Sequence, residues 1–595
     1  MPHIGSAPAA AVAAPAVQTG APTQTLERLQ FRGVSSPAAP LATALTDTAT
    51  DDTRPQAREI KLRSVHPGRN GAAALATAPI GIPAPPGQSV VGADAGFVGF
   101  AGLTHRDQHN AGTGVYAHSQ FSSEPPDQGL CVGSGYVMET VNNAFTVYDS
   151  RGARLTAPTA ASQFFHLAPE FNPNSQPTTF GPLVSDPRCY YDVATQRWFI
   201  TELEADQALL SGAFTGPTAV FVAVSQTANP TGAYSLYAID TTDAGPVGKP
   251  NCPCLPDQPL FGADANGVYI TTNEFPLFVP GFNGAQIYAL SKRALAAGIL
   301  PTVVHIDAGA IPVGTPNAGP WYSIQPATSP DPSQESSSRN GTEFFLSALD
   351  FSATVPNDNR VAVWALSNTA SLRNLKPNVK LQHVVIPSVA YAAPPAAVQK
   401  PGPTPLGTSL GEPLPLLNSN DDRMNQVVYA GGRLWSGLNT AVSFGTAEPN
   451  VGIAYFVVAP QLASSGSLSA HMTAGGYVAV RGENVMFPSI GVNSRGVPVM
   501  AFTLVGPQYF PSAAYVTENA GHVSNVKLAG PGAAPDDGFT AYKAYGGNGI
   551  ARWGDYSAAV ADRDGSIWFA TEYIPNAPRT ALANWGTFIG HVPTH

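Results

Sequence analysis

The sequence predicts an all-β protein, a seven-bladed β-propeller of four-stranded antiparallel blades that follows a disordered N-terminal tail. Three observations carry this prediction. The 595-residue chain combines only 12% charged residues with 58 glycines and 57 prolines, which is typical of short strands joined by turns. A degenerate repeat of about 60 to 70 residues recurs seven times. Each repeat reads as about four strands, and such units bury their faces by packing radially against their neighbours.

Residues 1–90 form the predicted tail and linker. Ala, Pro, Thr and Ser dominate this segment, and no sustained strand or helix period runs through it. A segment of this kind buries too little apolar surface to offset the entropy cost of ordering. The propeller is therefore expected over residues 91–595, with a Pro-rich insertion at about 391–417 that we interpret as a loop.

The hairpins of the repeats align with one another. Segments that begin at Asp257 and Asp555 match without a gap, and a third that begins at Met486 follows the same frame. Each places Asp or Asn, and then Gly, between two apolar runs, which is typical of β-hairpins. Looser copies begin at Asp127, Asp186, Ile324 and Asp422. The last repeat has room for three strands, so an apolar segment from Gly96 is expected to supply the fourth and close the ring.

The hairpin strings ADRDGSIWFAT, FGADANGVYITT and VNSRGVPVMAF resemble the Asp-box turns of sialidase-like propellers. In that family the hairpin is a folding element of the blade, and the resemblance implies the same role here. The Ser or Thr that precedes the strict Asp-box is missing, and no sialidase arginine triad carries over by motif. Longer strings such as NSNDDRMNQVVYAGGRLW look like large secreted bacterial propeller proteins of unassigned activity. The resemblance supports the fold and leaves the function open.

The residues that open the repeats are expected to surround a central channel, because the first strand of each blade lines the axis of a propeller. Five of the seven openers are the aspartates Asp127, Asp186, Asp257, Asp422 and Asp555. Gathered carboxylates repel, so some must be protonated, bind a cation such as Ca²⁺ or pair with arginines, of which the candidates are Arg188, Arg423 and Arg552. We interpret the ring as an acidic funnel that binds a polyhydroxylated ligand. The alternative is that each Asp caps its strand by accepting backbone N–H groups of the next blade.

Two repeat openings carry more polar chemistry than the start of a strand requires. The first, NSNDDRMNQ at 418–426, contains Asp421, Asp422 and Arg423. The second, ARWGDYS at 551–557, contains Arg552, Trp553, Asp555 and Tyr556. An aromatic face beside a few fixed polar groups is typical of sugar-binding clefts. The alternative interpretation is a blade junction with a buried Arg–Asp pair.

These two loops define the predicted catalytic site. We expect Asp422 and Asp555 to act as acid and base, and Arg423 and Arg552 to orient the substrate, with Tyr556 beside them. The expected ligand-binding residues are Asp127, Asp186, Asp257, Asp421 and Trp553. No motif identifies a cofactor or a set of metal ligands, and Ca²⁺ is the cation that a ring of carboxylates would suit.

The four cysteines permit two disulfides. Cys131 and Cys189 fall close to the openings of neighbouring repeats, so an inter-blade disulfide is expected between them. Cys252 and Cys254 are left open: they are free, bonded to each other or crossed with the first pair.

Charge and hydropathy exclude several classes of partner. The net charge of −10 lacks the basic footprint that nucleic acid or an anionic membrane requires, and no apolar run is long enough for a transmembrane helix. Although no signal peptide is evident, we predict a secreted or extracytoplasmic monomer that acts on an extracellular carbohydrate or surface glycoconjugate as a glycosidase or lyase. The alternative is a non-catalytic scaffold that binds glycan or protein in adhesion.

Overall fold

The computed structural model describes residues 21–39, 81–83, 87–244, 248–312, 315, 317–349, 357–446, 448–519 and 522–594. Within these residues the protein is all-β, as predicted. The helices are short and lie in connections between strands. The α-helices are His105–His109, Ala161–Phe164, Lys292–Ala296 and Pro405–Leu410. The 3₁₀ helices are Gly114–Tyr116, Thr369–Arg373, Phe539–Ala541 and Lys543–Tyr545.

Most strands belong to antiparallel four-stranded units, which we number as sheets 1 to 7. Sheet 1 contains Gly129–Gly133, Tyr136–Val141, Ala144–Asp149 and Thr159–Ala160. Sheet 2 contains Leu183–Asp192, Arg197–Gln207, Phe214–Ser225 and Tyr234–Asp240. Sheet 3 contains Cys254–Ala263, Gly267–Pro276, Gly284–Ser291 and Thr302–Asp307. Sheet 4 contains Gln325–Thr328, Thr342–Ala348, Asp358–Ser367 and Lys380–Tyr391.

The remaining sheets follow the same plan. Sheet 5 contains Val427–Ala430, Arg433–Ser443, Asn450–Leu462 and Leu468–Val478. Sheet 6 contains Asn484–Val492, Pro498–Val505, Ser512–Asn519 and Val526–Gly530. Sheet 7 contains Ala558–Ala561, Ile567–Tyr573, Gly586–Val592 and, from the other end of the chain, Val98–Thr104. Three short strand pairs lie outside these sheets: Phe171–Asn172 with Thr179–Phe180, Ala310–Ile311 with Gly319–Pro320, and Leu416–Leu417 with Ile550–Ala551. The short strand His522–Val523 pairs with Ser512–Asn519 of sheet 6.

The core lies between the sheets. The second strands of sheets 3 and 7 are buried at every residue, so both faces of each sheet are covered. Neighbouring sheets supply the cover: Phe261 of sheet 3, for example, packs against Tyr190 and Phe199 of sheet 2. The first strands of successive sheets lie against one another, and the first strand of sheet 7 lies against that of sheet 1. Sheets arranged in this way form a β-propeller.

The strand Val98–Thr104 pairs with Gly586–Val592 in antiparallel register. The prediction that the apolar segment from Gly96 supplies the fourth strand of the last repeat is therefore confirmed. Gly99 lies so close to Phe588 that a side chain at this position would clash with its ring.

The prediction of a disordered tail over residues 1–90 is wrong for part of that segment. Thr23–Arg28 adds a fifth, antiparallel strand to sheet 3, and Gln30–Ser35 adds one to sheet 2. The outermost strands of these sheets offer unpaired N–H and C=O groups, and the tail satisfies them. Val90–Gly92 and Ile82–Pro83 likewise pair with sheets 6 and 5. Residues 1–20 and 40–80 lie outside the described residues.

The Pro-rich insertion is also more ordered than the loop we expected. It contains the helix Pro405–Leu410 and the strand Leu416–Leu417. The buried Asp537 carboxylate accepts the N–H groups of Leu406 and Gly407, at 2.8 and 2.9 Å, at the first turn of that helix. A proline in the first turn favours a helix start, which explains why a proline-rich sequence forms one here.

Two disulfides are present. Cys131–Cys189 joins the first strands of sheets 1 and 2, which confirms the prediction, and Cys252 is bonded to Cys254. Over the described ranges, the helices are all too short or too polar to cross a membrane.

Candidate functional site

A central cavity of about 1200 Å³, counting space open to solvent, follows the first strands. All seven sheets contribute to its wall, through residues 129–133, 188–193, 258, 260–261, 325, 328–332, 335, 424–426, 428, 492 and 556–563. Polar residues that precede the first strands, or lie in their opening residues, gather beside one end of this cavity. We call them the axial mouth, which consists of Asp127, Asp186, Asp257, Asp421, Arg423, Arg552 and Asp555.

A left-handed backbone residue stands at the opening of most first strands. Asp186 and Gln258 have φ angles of 56° and 53°, and Asp127, Ser323, Phe487 and Asp555 share this conformation. In sheets 2, 3 and 6 the residue is followed by proline, and these two residues face one residue of the second strand in a β-bulge. The bulge interrupts the hydrogen-bond ladder between the strands, so the missing N–H of proline removes no hydrogen bond there. The bulge also redirects the side chain of the left-handed residue that precedes the proline.

Asparagines of the second strands hold these bulges in place. The backbone N–H of Asp186 donates to Asn142 Oδ1 of the preceding sheet at 2.8 Å. The same bond joins Ser323 to Asn273, at 2.8 Å, and Phe487 to Asn439, at 2.7 Å. An amide oxygen therefore fixes where the next repeat opens, and it positions the residues of the mouth.

A two-stranded parallel ribbon brings together the two polar loops that sequence analysis singled out. Leu416–Leu417 pairs with Ile550–Ala551, and Asn418 N donates to Ala551 O at 2.8 Å. The loops that follow these strands run side by side, and Asn420 Nδ2 donates to Asp555 Oδ1 at 3.0 Å. The Pro-rich insertion thus leads directly into the first of these two polar loops.

Arg423 and Asp421 form a two-point ion pair at the mouth. Arg423 Nε and Nη2 donate to the two carboxylate oxygens of Asp421 at 2.7 and 2.8 Å. Arg423 Nη1 donates to Gln258 Oε1 at 2.6 Å, and the guanidinium lies 4.9 Å from the centre of the Tyr322 ring. Burial lowers the pKa of Arg423, but the charge of Asp421 and its hydrogen bonds to the guanidinium outweigh burial, so the pKa is raised well above its usual value. The Arg423 guanidinium is therefore charged.

A second pair, Arg552 with Asp555, is more open. Arg552 Nη2 lies 2.5 Å from Asp555 Oδ2, and one third of the Arg552 side chain is exposed. The loop behind this pair is held by Glu572, which accepts the N–H of Gly554 at 2.7 Å. The two ion pairs come from the openings of sheets 5 and 7, and Asn420 connects them.

The other mouth carboxylates hold their protons more strongly than usual. Burial, together with the charges of Asp555 and Asp186, raises the pKa of Asp127 well above its ordinary value. Burial raises the pKa of Asp186 as well, with the Asp555 charge adding to it. For Asp257, burial and the Asp186 charge raise the pKa to about 7, although Arg423 opposes the shift. The repulsion expected from sequence is thus relieved by proton uptake and by arginine pairing.

Strand capping, the alternative interpretation, describes part of the ring. Asp186 Oδ2 accepts the backbone N–H of Gln258, the opening residue of the next sheet, at 3.0 Å. Asp127 Oδ2 accepts a bond from the Asn142 side chain at 2.7 Å and is buried. These two aspartates therefore support the scaffold, whereas the side chains of Asp421 and Asp555 are 20% and 21% exposed and pair with arginines.

Two of the predicted site residues are buried. Asp422 is 1% exposed, whereas the side chain of its neighbour Asp421 is 20% exposed and pairs with Arg423. Trp553 is also 1% exposed, because its indole packs in the core and donates to Thr503 Oγ1 at 3.2 Å. Its ring offers no face to a sugar.

Tyr556 lines the cavity below the mouth. Its ring lies under the Arg188 guanidinium, with 3.3 Å between the guanidinium carbon and the ring centre. Its buried Oη lacks a hydrogen-bond partner among the described residues, and burial raises the pKa of this phenol well above its usual value. Tyr556 therefore forms part of the cavity wall and is a neutral group there.

Sequence reasoning missed Gln258, Asn420 and Tyr322, all of which contact the mouth arginines or aspartates. One signal for Gln258 was present in the sequence: Pro187, Pro259 and Pro488 each follow a bulge residue. Aligning the repeats on these prolines makes Gln258, and not Asp257, equivalent to Asp186.

The carboxylates of the mouth do not form a set of calcium ligands. Within the described ranges, the one group of three or more candidate ligand atoms within 4.8 Å of one another is Cys252, Cys254 and Glu274. Its cysteines are bonded to each other, so only one carboxylate remains, whereas Ca²⁺ takes six to eight oxygens.

No family model and no curated protein sequence matches the chain. Solved structures with a similar course of the chain include a putative exo-β-1,3-galactanase from Bifidobacterium bifidum (12% identity, 59% of this chain and 93% of that chain, TM-score 0.25). Another is Trypanosoma rangeli sialidase in complex with sialic acid (10% identity, 77% of this chain and 59% of that chain, TM-score 0.31). A third is Cellvibrio cellulosa α-L-arabinanase complexed with arabinohexaose (10% identity, 67% of this chain and 94% of that chain, TM-score 0.27). Likeness at this level carries no argument about what this chain binds or does.

Proposed function

We propose that the protein is a secreted, monomeric, carbohydrate-active enzyme in which seven sheets close into a seven-bladed propeller, and that the axial mouth binds and cleaves an extracellular polysaccharide. The closed ring is supported by the first strand of sheet 7, which lies against that of sheet 1, and by the strand Val98–Thr104. The extracytoplasmic location is supported by two disulfides, which persist in oxidising compartments.

The observation that carries the activity is a pair of carboxylates in contrasting environments at one mouth. Asp257 has a pKa of about 7, so a large share of this carboxyl is protonated at neutral pH and available as a general acid. Asp555 is ion-paired with Arg552 and is the matching base or nucleophile. Two carboxyl groups whose environments separate their protonation states are the usual machinery of glycoside cleavage.

In this proposal Asp257 takes the acid role that sequence analysis gave to Asp422. Arg552, which is one third exposed, orients substrate hydroxyl groups and is ion-paired with Asp555. Asn420 offers an amide between the two ion pairs, and Tyr322 supports Arg423 from below. The deeper aspartates, Asp127 and Asp186, hold the backbone of the mouth.

A second candidate is glycan binding without cleavage, and one observation favours it. Arg423 bonds to Asp421, Gln258 and Asn420 within the protein, an arrangement that fixes a surface and contributes no reactive group. A recognition site requires only such fixed polar groups.

The test is a panel of neutral and acidic polysaccharides scored for binding and for release of reducing ends. Wild type is compared with Asp257→Asn and Asp555→Asn. The matched control is Asp240→Asn, which changes an exposed aspartate on the outer part of sheet 2. We expect product release to fall about 100-fold or more in both mouth variants and to stay unchanged in the control.

Each other outcome has a definite meaning. Binding without product release, by wild type and by all variants, would reject cleavage and favour the recognition candidate. Product release that survives in both mouth variants would place the chemistry elsewhere. The absence of binding across the panel would reject a carbohydrate ligand.

A further inference from the structure

Arg188 is a cavity-lining arginine without a protein acceptor. It lies two residues after the bulge residue Asp186, on the first strand of sheet 2, and its side chain is partly exposed to the central cavity. In the described part of the chain, no carboxylate oxygen lies within 4.0 Å of its guanidinium and no hydrogen bond involves that group. The two arginines of the mouth, Arg423 and Arg552, are both ion-paired, and the other arginine of the cavity wall, Arg563, is exposed.

The Tyr556 ring fixes the orientation of the Arg188 guanidinium. The guanidinium carbon lies 3.3 Å from the ring centre, so one face of the planar group is covered by the phenol. A guanidinium held by its face keeps its N–H groups at its edge, where two parallel donors match the two oxygens of a carboxylate. The stack also limits the side-chain freedom that ligand binding would otherwise remove.

Further polar groups of the same wall also lack protein partners. Within the described residues, Gln258 Nε2 and the Asn425 side-chain amide have no hydrogen bond, and neither does Tyr556 Oη. All three residues line the cavity with Arg188. They lie at the strand openings of sheets 3, 5 and 7, so donors and acceptors face the cavity from several directions. This is the composition of a site that binds an anion together with hydroxyl groups.

The charges of the mouth leave Arg188 as the unbalanced group. Asp421 and Asp555 are each neutralised by an arginine of the mouth. Burial raises the pKa of Asp127 and of Asp186, so each of these carboxyl groups carries less negative charge than a free aspartate does. An incoming carboxylate would therefore meet a cation without a competing partner.

We propose that the central cavity binds a carboxylate of the ligand at Arg188, so that the substrate is an acidic glycan built from uronic acid or another carboxylated sugar. Gln258, Asn425 and Tyr556 would hydrogen-bond the same sugar unit. That the ligand is a sugar rests on the proposed function, and that it carries a carboxylate rests on Arg188.

The experiment measures binding by calorimetry with two matched probes, oligogalacturonate with free carboxylates and the same oligomer fully methyl-esterified. A sulfated oligosaccharide of equal length is the third probe. The variants are Arg188→Gln and, as the control, Arg563→Gln, which removes another cavity-lining guanidinium outside the mouth. Galacturonate and galactose monomers are tested in parallel by thermal shift.

We expect wild type to prefer the free-acid oligomer, and Arg188→Gln to lose about 10- to 100-fold of that affinity, because a charge-assisted pair is lost. The same variant should bind the methyl ester as wild type does, and Arg563→Gln should bind all probes normally. Raising the salt concentration should weaken only the free-acid complex.

Several outcomes would overturn the proposal and spare the proposed function. Equal binding of the acid and its ester by wild type would show a neutral-glycan site. A preference for the sulfated probe would reject the carboxylate. If no oligomer binds, the proposed function fails, and the monomers then decide the further inference. A thermal shift with galacturonate that is lost in Arg188→Gln would support the carboxylate site. The absence of any thermal shift with galacturonate would reject that site.

Discussion

Single residues decide where each repeat opens and what charge it presents. At Asp186 and Gln258, a left-handed backbone and a following proline form a bulge, and an asparagine or aspartate of the preceding sheet accepts the N–H of that residue. The same position carries Asp in sheet 2, Gln in sheet 3 and Phe in sheet 6. The repeat therefore specifies backbone geometry, and the side chain at this position is available for function.

Replacing Asp257 with asparagine should change how stability depends on pH. The folded protein holds the Asp257 proton to a pKa of about 7, whereas an unfolded chain releases it near pH 4. Wild type therefore loses stability as pH rises from about 4 to about 7, and Asp257→Asn lacks this loss. Urea unfolding at pH 5 and pH 8 measures the free energy of unfolding of both proteins. The value for Asp257→Asn, relative to wild type, should be higher at pH 8 than at pH 5 by on the order of 2 kcal/mol. A difference that is equal at both pH values would contradict the environment described for Asp257.

At this scale the sequence predicted which loops come together better than which of their side chains are exposed. Asp421, Arg423, Arg552 and Asp555 meet at the mouth as expected. Asp422 and Trp553 do not, because both are buried, and the left-handed turns that orient these loops, at Asn420 and Asp555, were not known in advance. Arg188 was considered only as a partner for the aspartates, since a lone arginine carries no motif.

Whole strands from distant parts of the chain complete the sheets. Thr23–Arg28 and Gln30–Ser35 pair with the outer strands of sheets 3 and 2, and Glu27 Oε1 lies 2.7 Å from His305 Nδ1. Composition hid these strands because edge pairing uses backbone groups, which almost any sequence can offer. The hairpins, in contrast, were predictable because Asp and Gly at fixed offsets are local signals.

Deleting residues 1–36 should expose the edges that this tail covers. Amide exchange should quicken by about 10-fold or more in Tyr234–Asp240 and Thr302–Asp307, since their outer N–H groups lose partners. Deleting residues 1–20 is the matched control and should leave exchange in both strands unchanged. Hydrogen exchange read by mass spectrometry measures both effects. Equal protection in the two truncations would mean that the pairing contributes nothing in solution.

For the molecule as a whole, the two disulfides constrain very different lengths of chain. Cys131 and Cys189 are separated by 58 residues and join two sheets, whereas Cys252 and Cys254 are separated by 2. Closing a longer loop removes more entropy from the unfolded chain. The double serine variant of the first pair should therefore lose about 2 to 3 kcal/mol more unfolding free energy than that of the second pair. Denaturant unfolding compares them, and an equal loss would indicate that the inter-sheet bond does not act through the unfolded chain.

Repeat spacing was sufficient to predict the order of the sheets, because every repeat must pack against its neighbours. It could not predict the ribbon of Leu416–Leu417 with Ile550–Ala551, which joins loops more than 100 residues apart and has no pattern of its own. That ribbon unites the polar loops of sheets 5 and 7, so the site is a property of the assembled molecule and not of any one repeat.

The most direct test of this account is a crystal structure of the protein with the tightest-binding oligosaccharide of the panel. We expect the sugar at the axial mouth, with one unit between Asp257 and Asp555, a hydroxyl group on Arg552 and the chain entering the cavity toward Arg188. Sugar bound at the outer edges of the sheets, with the mouth ion pairs undisturbed, would contradict the central claim that the axis is the functional site.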